Sequence, residues 1–181
     1  MPTILTHAIV PLACAAAAGR GVISPNIALA GAALAMAPDA DVIGFALGIE
    51  YGDVWGHRGA SHSVVFAAMI ASAIAIIWRE ARSLLAFLFL ALAMASHGLL
   101  DTLTSGGLGA ALWWPMDNVR IFAPVTPVRV SPIGMDFVSA RGWETLQSEA
   151  RWIWLPCAIL VCAGWGIRKL SARRGGGADA A

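Results

Sequence analysis

The sequence predicts an all-α membrane protein, a polytopic bundle of about four to five apolar helices with a Pro/Gly-rich loop after the fourth. Hydrophobic residues make up 59% of the 181 residues, and the mean hydropathy is +0.73. Charged residues make up only 13%, whereas a soluble domain contains roughly 25%. Apolar segments also recur along the chain, separated by short polar connections. The length favours a single domain.

The apolar segments are predicted at residues 3–18, 26–37, 61–78, 83–101 and 151–168. The second of these follows Ser24, a typical helix cap, and Pro25, a typical first-turn residue, and it stops at Pro38. It is about 12 residues long, roughly 18 Å as a helix, which is too short to cross a bilayer alone. We therefore expect it to tilt or to extend through its neighbours, with a Gly-rich loop over residues 42–60.

The regions outside these segments predict the domain organisation. We expect residues 1–170 to form one membrane-embedded domain, in which residues 102–150 are an extramembrane loop region, and residues 171–181 to be a disordered tail. The net charge of +1, with no basic stripe, argues against binding of nucleic acid. The three cysteines have neither disulfide nor CxxC spacing.

Alternate threading of the five segments brings the polar motifs to one side of the membrane. His7, Pro38–Asp41, residues 56–63 and His97 then share a side, whereas the connections around Arg20 and residues 79–82 and the basic stretch 168–174 lie opposite. The opposite side carries seven Lys/Arg residues in short connections, and the motif side carries five in longer loops. The positive-inside tendency predicts that the motifs face outward, which is towards the periplasm if the protein lies in the inner membrane of a Gram-negative bacterium.

The polar octet Gly56-His57-Arg58-Gly59-Ala60-Ser61-His62-Ser63 is the most informative motif. It contains two of the four histidines and directly precedes an apolar run, where such groups are costly unless they bind something. The other candidate metal ligands are His7, the pair Asp39 and Asp41 after a helix end, and His97 with Asp101 at i, i+4 spacing.

These side chains predict a metal site. Imidazole and carboxylate together suit zinc, and also manganese or iron. Seven candidate ligands (His7, Asp39, Asp41, His57, His62, His97 and Asp101) exceed the three or four of one catalytic zinc, so a site for two ions is a reasonable prediction. Taken singly, each residue also has a structural interpretation, such as a helix pair, a solvated turn or a core histidine.

Arg58 and Asp101 are the candidate catalytic residues. Arg58 could hold a substrate phosphate through its planar guanidinium, or it could instead pair with Asp53 or with a helix-end carbonyl. Asp101 could bind the metal or orient His97. The nucleophile is expected to be water activated by the metal, because the sequence has no Ser in a GxSxG context and no catalytic Cys setting.

Several motifs resemble those of the YdjM-like family, bacterial and archaeal inner-membrane proteins classed as metal-dependent hydrolases. They are Thr6-His7, Pro38-Asp39-Ala40-Asp41, the octet, Ser96-His97-Gly98-Leu99-Leu100-Asp101-Thr102-Leu103-Thr104, Gly106-Gly107, Trp114-Pro115 and the Pro-rich stretch 121–132. The resemblance covers roughly residues 1–135 in order; Ala60 and Ser61 are a mild departure that leaves the polar groups intact. The ligand spacing is also remotely similar to that of all-helical zinc-dependent phospholipases C.

The resemblance implies a membrane-bound hydrolase, and the second likeness tilts the expected substrate towards a phosphoester. Because the site would open at headgroup depth, we expect a lipid or lipid-linked phosphoester. Membrane lipid is accordingly the expected partner. The alternative is a non-enzymatic membrane protein that binds or transports metal ions with the same ligands. Transport would favour ionisable groups along a path through the helices, whereas most of these residues lie at predicted helix ends. A third interpretation is a scaffold in which the polar cluster only fixes helix packing.

Overall fold

The structure, a computed structural model, describes residues 1–132 and 137–178, with side chains described as far as Arg173. Within these ranges the regular secondary structure is helical and there is no β-strand, which confirms the all-α prediction. The α-helices are α1 Ile4–Ala18, α2 Pro25–Met36, α3 Val64–Ile77, α4 Leu84–Thr102, α5 Ala140–Glu149 and α6 Leu155–Ala178. Their caps follow the sequence, since Ser24, Ser63 and Ser83 each accept a hydrogen bond from a backbone N–H three residues later.

The second apolar segment does not end at Pro38. Helix α2 continues directly into a 3₁₀ helix, Ala37–Leu47, which we call the 3₁₀ segment, and the two together form an apolar span of 23 residues. The expected loop at residues 42–60 therefore begins only at Gly48, whose φ of +79° ends the segment. Pro38 is tolerated because it stands in the first turn, where its missing N–H costs little. An uninterrupted 3₁₀ run of this length is unusual.

A helix also forms inside the region expected to be a loop. Helix α5 occupies the end of residues 102–150 and joins α6 through a π-helical turn, Ala150–Trp154, so that Ala140–Arg173 forms a second apolar span of 34 residues. Sequence reasoning missed α5 because it is polar and short, and its contacts with the rest of the chain are tertiary. Helix α6 reaches Ala178, into the expected disordered tail, and residues 179–181 lie outside the described residues.

The helices pack in the order α6, α1, α2, α4, α3. Helix α4, Leu84–Thr102, is the third apolar span, and α1 and α3 are shorter apolar helices. The main apolar core lies between α2, α3 and α4 and includes Ile27, Ala71 and Leu90. Small residues at the interfaces allow close helix approach, as is common in membrane helix packing.

The connections at one end of the bundle meet as the alternate threading predicted. Glu80, in the turn between α3 and α4, accepts hydrogen bonds from Ser24 and from Asn26, at the start of α2. Arg168 of α6 donates to the carbonyl oxygen of Ala17, at the end of α1. The Arg-rich connections therefore lie together at the end of the bundle away from the histidines.

The long loop after α4 folds back over the histidine end. Val64 N donates to Leu112 O at 3.1 Å, and Ala111 N donates to Arg58 O at 2.9 Å. Ser131 N donates to Met1 O at 2.9 Å. These backbone contacts make the loop the cover of the site described below.

Candidate metal centre

Four buried side chains from three parts of the chain converge on one point. Asp39 comes from the 3₁₀ segment, His62 from a 3₁₀ turn at Ala60–His62, and His97 and Asp101 from successive turns of α4. One ligand atom of each lies within 4.8 Å of the others. The four histidine–aspartate pairs among these atoms are separated by 3.3 Å (His97 Nε2 to Asp39 Oδ1) to 3.9 Å (His97 Nε2 to Asp101 Oδ2). Zinc bonds of roughly 2.0–2.1 Å in a tetrahedron would separate the ligands by about 3.4 Å.

These ligand atoms have no hydrogen-bond partner among the described residues. The buried atoms without a partner include both oxygens of Asp39, both oxygens of Asp101, and the Nε2 atoms of His62 and His97. An unpaired buried carboxylate carries a large desolvation cost. A cation between these atoms would remove that cost, and the donor set fits a divalent metal ion.

The two histidines are held so that Nε2 faces this point. His97 Nδ1 donates to the carbonyl oxygen of Ala35 at 2.7 Å. His62 Nδ1 lies 3.3 Å from Asp41 Oδ2 and 3.0 Å from Ser61 Oγ. A hydrogen bond of this kind at one ring nitrogen fixes the tautomer and leaves the lone pair of the other nitrogen for a metal.

Asp41 has surroundings opposite to those of Asp39. Its Oδ1 accepts from His57 Nδ1 at 2.7 Å, and its Oδ2 accepts from Ser61 Oγ at 2.8 Å and from the backbone N–H of Arg58 at 3.2 Å. Asp41, His57 and His62 could form a second group of metal ligands. A neutral imidazole has one lone-pair nitrogen, however, so the two groups compete for His62. The geometry fits an orienting role for Asp41 better.

The surroundings of His62 change its pKa. Burial lowers its pKa, but the nearby carboxylates of Asp101 and Asp41 outweigh burial and raise the pKa above its usual value. Binding of a metal at Nε2 would release the proton held there.

His7 also reaches the cluster, though not in the same way. Its ring stacks on that of His97 with centroids 3.7 Å apart and planes 14° apart, and its Nε2 lies 3.7 Å from Asp101 Oδ1. A metal lies near the plane of an imidazole that binds it, so two stacked rings cannot both bind one ion in this arrangement. His7 and Asp101 could together hold a second ion.

Arg58 is buried beneath the covering loop. Its guanidinium donates to the carbonyl oxygen of Gly106 at 2.8 Å and to Thr104 Oγ1 at 3.1 Å. Its Nε lies 3.0 Å from Asp101 Oδ2, an ion pair by distance although not in hydrogen-bonding direction. The sequence analysis offered a substrate phosphate, Asp53 or a helix-end carbonyl as partners of Arg58. The observed contacts resemble the pairing with a carbonyl, and the structure shows no pairing with Asp53. Asp101 is the carboxylate that Arg58 faces.

A glycine permits the approach of α4 to the octet. A Cβ at Gly98 would lie 2.2 Å from the carbonyl oxygen of His62 and 2.9 Å from a methyl group of Leu112. A side chain there would push the octet away from α4. The Gly that follows His97 is therefore part of the site.

Glu149 is a buried acid that the sequence analysis did not single out. It lies at the end of α5 and is 0% exposed. It accepts from Thr3 N at 2.5 Å, and from Thr3 Oγ1 and Thr6 Oγ1 at 2.7 Å each. Glu149 thus caps the first turn of α1 from another helix. One of its partners, Thr6, directly precedes His7. The sequence signal was an isolated acid directly before an apolar helix.

All seven candidate metal ligands and Arg58 lie in or around this cluster, but the hydrogen bonds that they form differ. Asp39, His62, His97 and Asp101 present unpaired atoms to one point. His7 lies beside them, and Asp41, His57 and Arg58 are engaged in hydrogen bonds around them. The side chains of these distant histidines and aspartates lie close together in the fold, and their binding of a metal stays a prediction.

Comparisons with known proteins agree with the motifs. The model of the YdjM inner membrane protein family matches residues 1–172. The inner membrane protein YbcI of Escherichia coli strain K12 is 40% identical over 173 residues, which cover 93% of this chain and 100% of that protein. No solved structure matches the chain significantly. On this evidence the chain belongs to the YdjM family of inner membrane proteins.

Proposed function

We propose that the chain is a multi-pass, metal-dependent hydrolase of the inner membrane that acts on a lipid or lipid-linked phosphoester. One observation carries the proposal, namely the convergence of Asp39, His62, His97 and Asp101 with their ligand atoms buried and unpaired. A group that only fixed helix packing would have its polar atoms hydrogen-bonded to one another.

The ligand set favours zinc over other ions. Two imidazole nitrogens and two carboxylate oxygens at near-tetrahedral separations suit zinc, and manganese or iron could also use them. A divalent ion held there supplies Lewis acidity, which lowers the pKa of water and polarises a phosphoryl oxygen. A second ion would use His7 together with Asp101.

The charges at the site favour an anionic substrate once a metal is bound. Asp101 faces the guanidinium of Arg58, whereas Asp39 faces the Nε2 atoms of His62 and His97. With these imidazoles neutral, as metal ligands must be, the negative charge of Asp39 remains uncompensated. A divalent cation would reverse that sign and attract a phosphate. Arg58 would contact the phosphate only if its bonds to Thr104 and Gly106 were given up, so we assign it first to holding Asp101.

The location of the site supports a substrate from the membrane. The cluster lies at one end of the bundle, where apolar spans meet the covering loop, and this is where the headgroups of lipids would lie. The positive-inside tendency favours the outer face, because the Arg-rich connections lie at the other end. Metal transport is less well supported, because the donors gather at one end of the bundle.

The first measurement is the metal content of the protein purified in detergent, by mass spectrometry, for wild type, His62→Ala and Asp101→Ala. Asp117→Asn is the control, because Asp117 is exposed. The second is hydrolysis of phospholipids and lipid-linked phosphoesters in mixed micelles by the same proteins. We expect one or two ions per chain and metal-dependent turnover, both lost in the two site variants only.

Three outcomes would contradict the proposal in different ways. Metal binding without hydrolysis of any phosphoester would favour the metal-carrier alternative. Absence of specific metal would favour the scaffold interpretation. Full metal content and turnover in both His62→Ala and Asp101→Ala would show that the ligands are wrong.

A further inference from the structure

An apolar cavity reaches the metal cluster from the side of α1. It has a volume of about 460 Å³ and lies between the start of α1, the 3₁₀ segment and the loop residues Ser131 and Pro132. Its walls include Ile4, Leu5 and Val42. Volumes of roughly 300–1,000 Å³ with mostly apolar walls are typical of ligand pockets.

One carboxylate of the metal cluster lies in the wall of this cavity. Asp39 is 5% exposed, and neither of its oxygens has a hydrogen-bond partner among the described residues. The cavity therefore borders Asp39, whose two oxygens are buried behind its wall. A ligand with its apolar part along the walls and its polar part at an ion held behind Asp39 would be an amphiphile.

A second apolar cavity on the other side of the 3₁₀ segment provides a contrast. It has a volume of about 610 Å³ and reaches Asp41 and Ser61. Both groups are already hydrogen-bonded, to each other and to the octet. A polar headgroup entering there would find no unpaired partner, so the cavity at Asp39 is the better candidate for the substrate.

The outer walls of the cavity at Asp39 lead towards lipid. Leu5 is 69% exposed and Ile4 is 47% exposed, on the first turns of α1. Val42 is 39% exposed on the 3₁₀ segment, within an apolar span. In a chain of an inner-membrane family, exposed apolar residues of this kind face acyl chains.

We propose that this cavity binds one acyl chain of a membrane phospholipid and directs its phosphoester towards a metal ion held by Asp39, so that Leu5 and Val42 select long-chain substrates. The assignment rests on the proposed function, since it concerns the substrate of the same site. Entry is sideways from the bilayer. A small soluble phosphoester has no acyl chain to place against these walls.

The test fills the cavity without touching a metal ligand. Val42→Trp places an indole in the wall, and Leu5→Trp does so from the α1 side. Val22→Trp is the matched control, because Val22 is also exposed, at 53%, but lies in the connection between α1 and α2. Unchanged metal content in each variant shows that the site is folded.

Two measurements are made on each variant. The first compares hydrolysis of a long-chain phospholipid in mixed micelles with hydrolysis of bis(p-nitrophenyl) phosphate. We expect kcat/KM for the phospholipid to fall at least about tenfold in the cavity variants, with the soluble substrate changed less than about twofold. The second counts phospholipid molecules retained on the metal-loaded chain by native mass spectrometry, and we expect retention to be lost in the cavity variants alone.

The outcomes separate this inference from the proposed function. If wild type hydrolyses neither substrate, the proposed function is wrong, and lipid retention still decides whether the cavity holds an acyl chain. Equal loss of both activities in the cavity variants, or equal lipid retention in Val42→Trp, Leu5→Trp and Val22→Trp, would overturn the cavity assignment.

Discussion

Asp39 and Asp41 lie two residues apart in the same 3₁₀ segment, and their surroundings are opposite. Asp41 accepts hydrogen bonds from His57, Ser61 and the backbone of Arg58. Asp39 accepts none among the described residues and faces the Nε2 atoms of His62 and His97. The comparison teaches that a candidate ligand is recognised by what its neighbours leave unpaired, as well as by its residue type.

The largest expected effect comes from Asp39→Asn, which is nearly isosteric. We expect divalent metal affinity to fall by more than about 100-fold, because a ligand is lost, a greater loss than the roughly 10–100-fold typical of an outer-sphere partner. Without metal, the variant should be at least as stable as wild type to heat, because an unpaired buried charge has been removed. Metal titration by calorimetry and thermal unfolding with chelator measure the two effects. If Asp39→Asn binds metal with wild-type affinity, Asp39 is not a ligand and the contrast with Asp41 fails.

Asp41→Asn should weaken metal binding less, by about 10–100-fold. The metal stoichiometry at saturation should remain that of wild type, because the ligands of the ion are intact. The metal-free protein should be destabilised, since hydrogen bonds of an ionised group to His57 and Ser61 are weakened. The same titration and unfolding experiments apply. If Asp41→Asn abolishes binding as completely as Asp39→Asn, then Asp41 is itself a ligand.

Gly98→Ala sharpens the comparison by moving His62, the residue that both groups share. The added methyl group would meet the backbone of His62, and we expect about 1–3 kcal/mol of destabilisation from overpacking. The control is Gly166→Ala in α6, where a Cβ meets nothing within 4 Å, and this change should stabilise the helix by roughly 0.5–1 kcal/mol. Thermal unfolding of both variants is the measurement. Stabilisation by both would show that α4 and the octet are not packed this closely.

Glu149→Gln extends the comparison to a third acid, one that is fully hydrogen-bonded away from the cluster. We expect a loss of stability of about 1–2 kcal/mol, because bonds to Thr3 and Thr6 lose their charge, with metal affinity changed less than about threefold. Glu144→Gln is the control, since Glu144 forms only an exposed ion pair with Arg129 and such pairs contribute little. A large loss of metal in Glu149→Gln would instead make the capped end of α1 part of the metal site.

Much of the fold and of the site could be predicted from the sequence. Runs of apolar residues fix the helices because lipid requires every backbone group to be paired within a helix. The residues of the site could be found because His and Asp are rare in such runs and costly there. The short second segment predicts an extension, and the structure confirms it. Neither the 3₁₀ form of that extension nor the polar helix α5 could be predicted, because both depend on contacts with distant parts of the chain.

The sequence by itself determined the apolar helices, the membrane family and the candidate residues that lie together. Only the tertiary structure decided which of them keep unpaired atoms and which are hydrogen-bonded, separating Asp39 from Asp41 and adding Glu149. The physical reason is that a hydrogen-bonding group is defined by its partners, and the partners of these carboxylates come from other segments. Spacing along the chain carries no information about which oxygen remains unpaired.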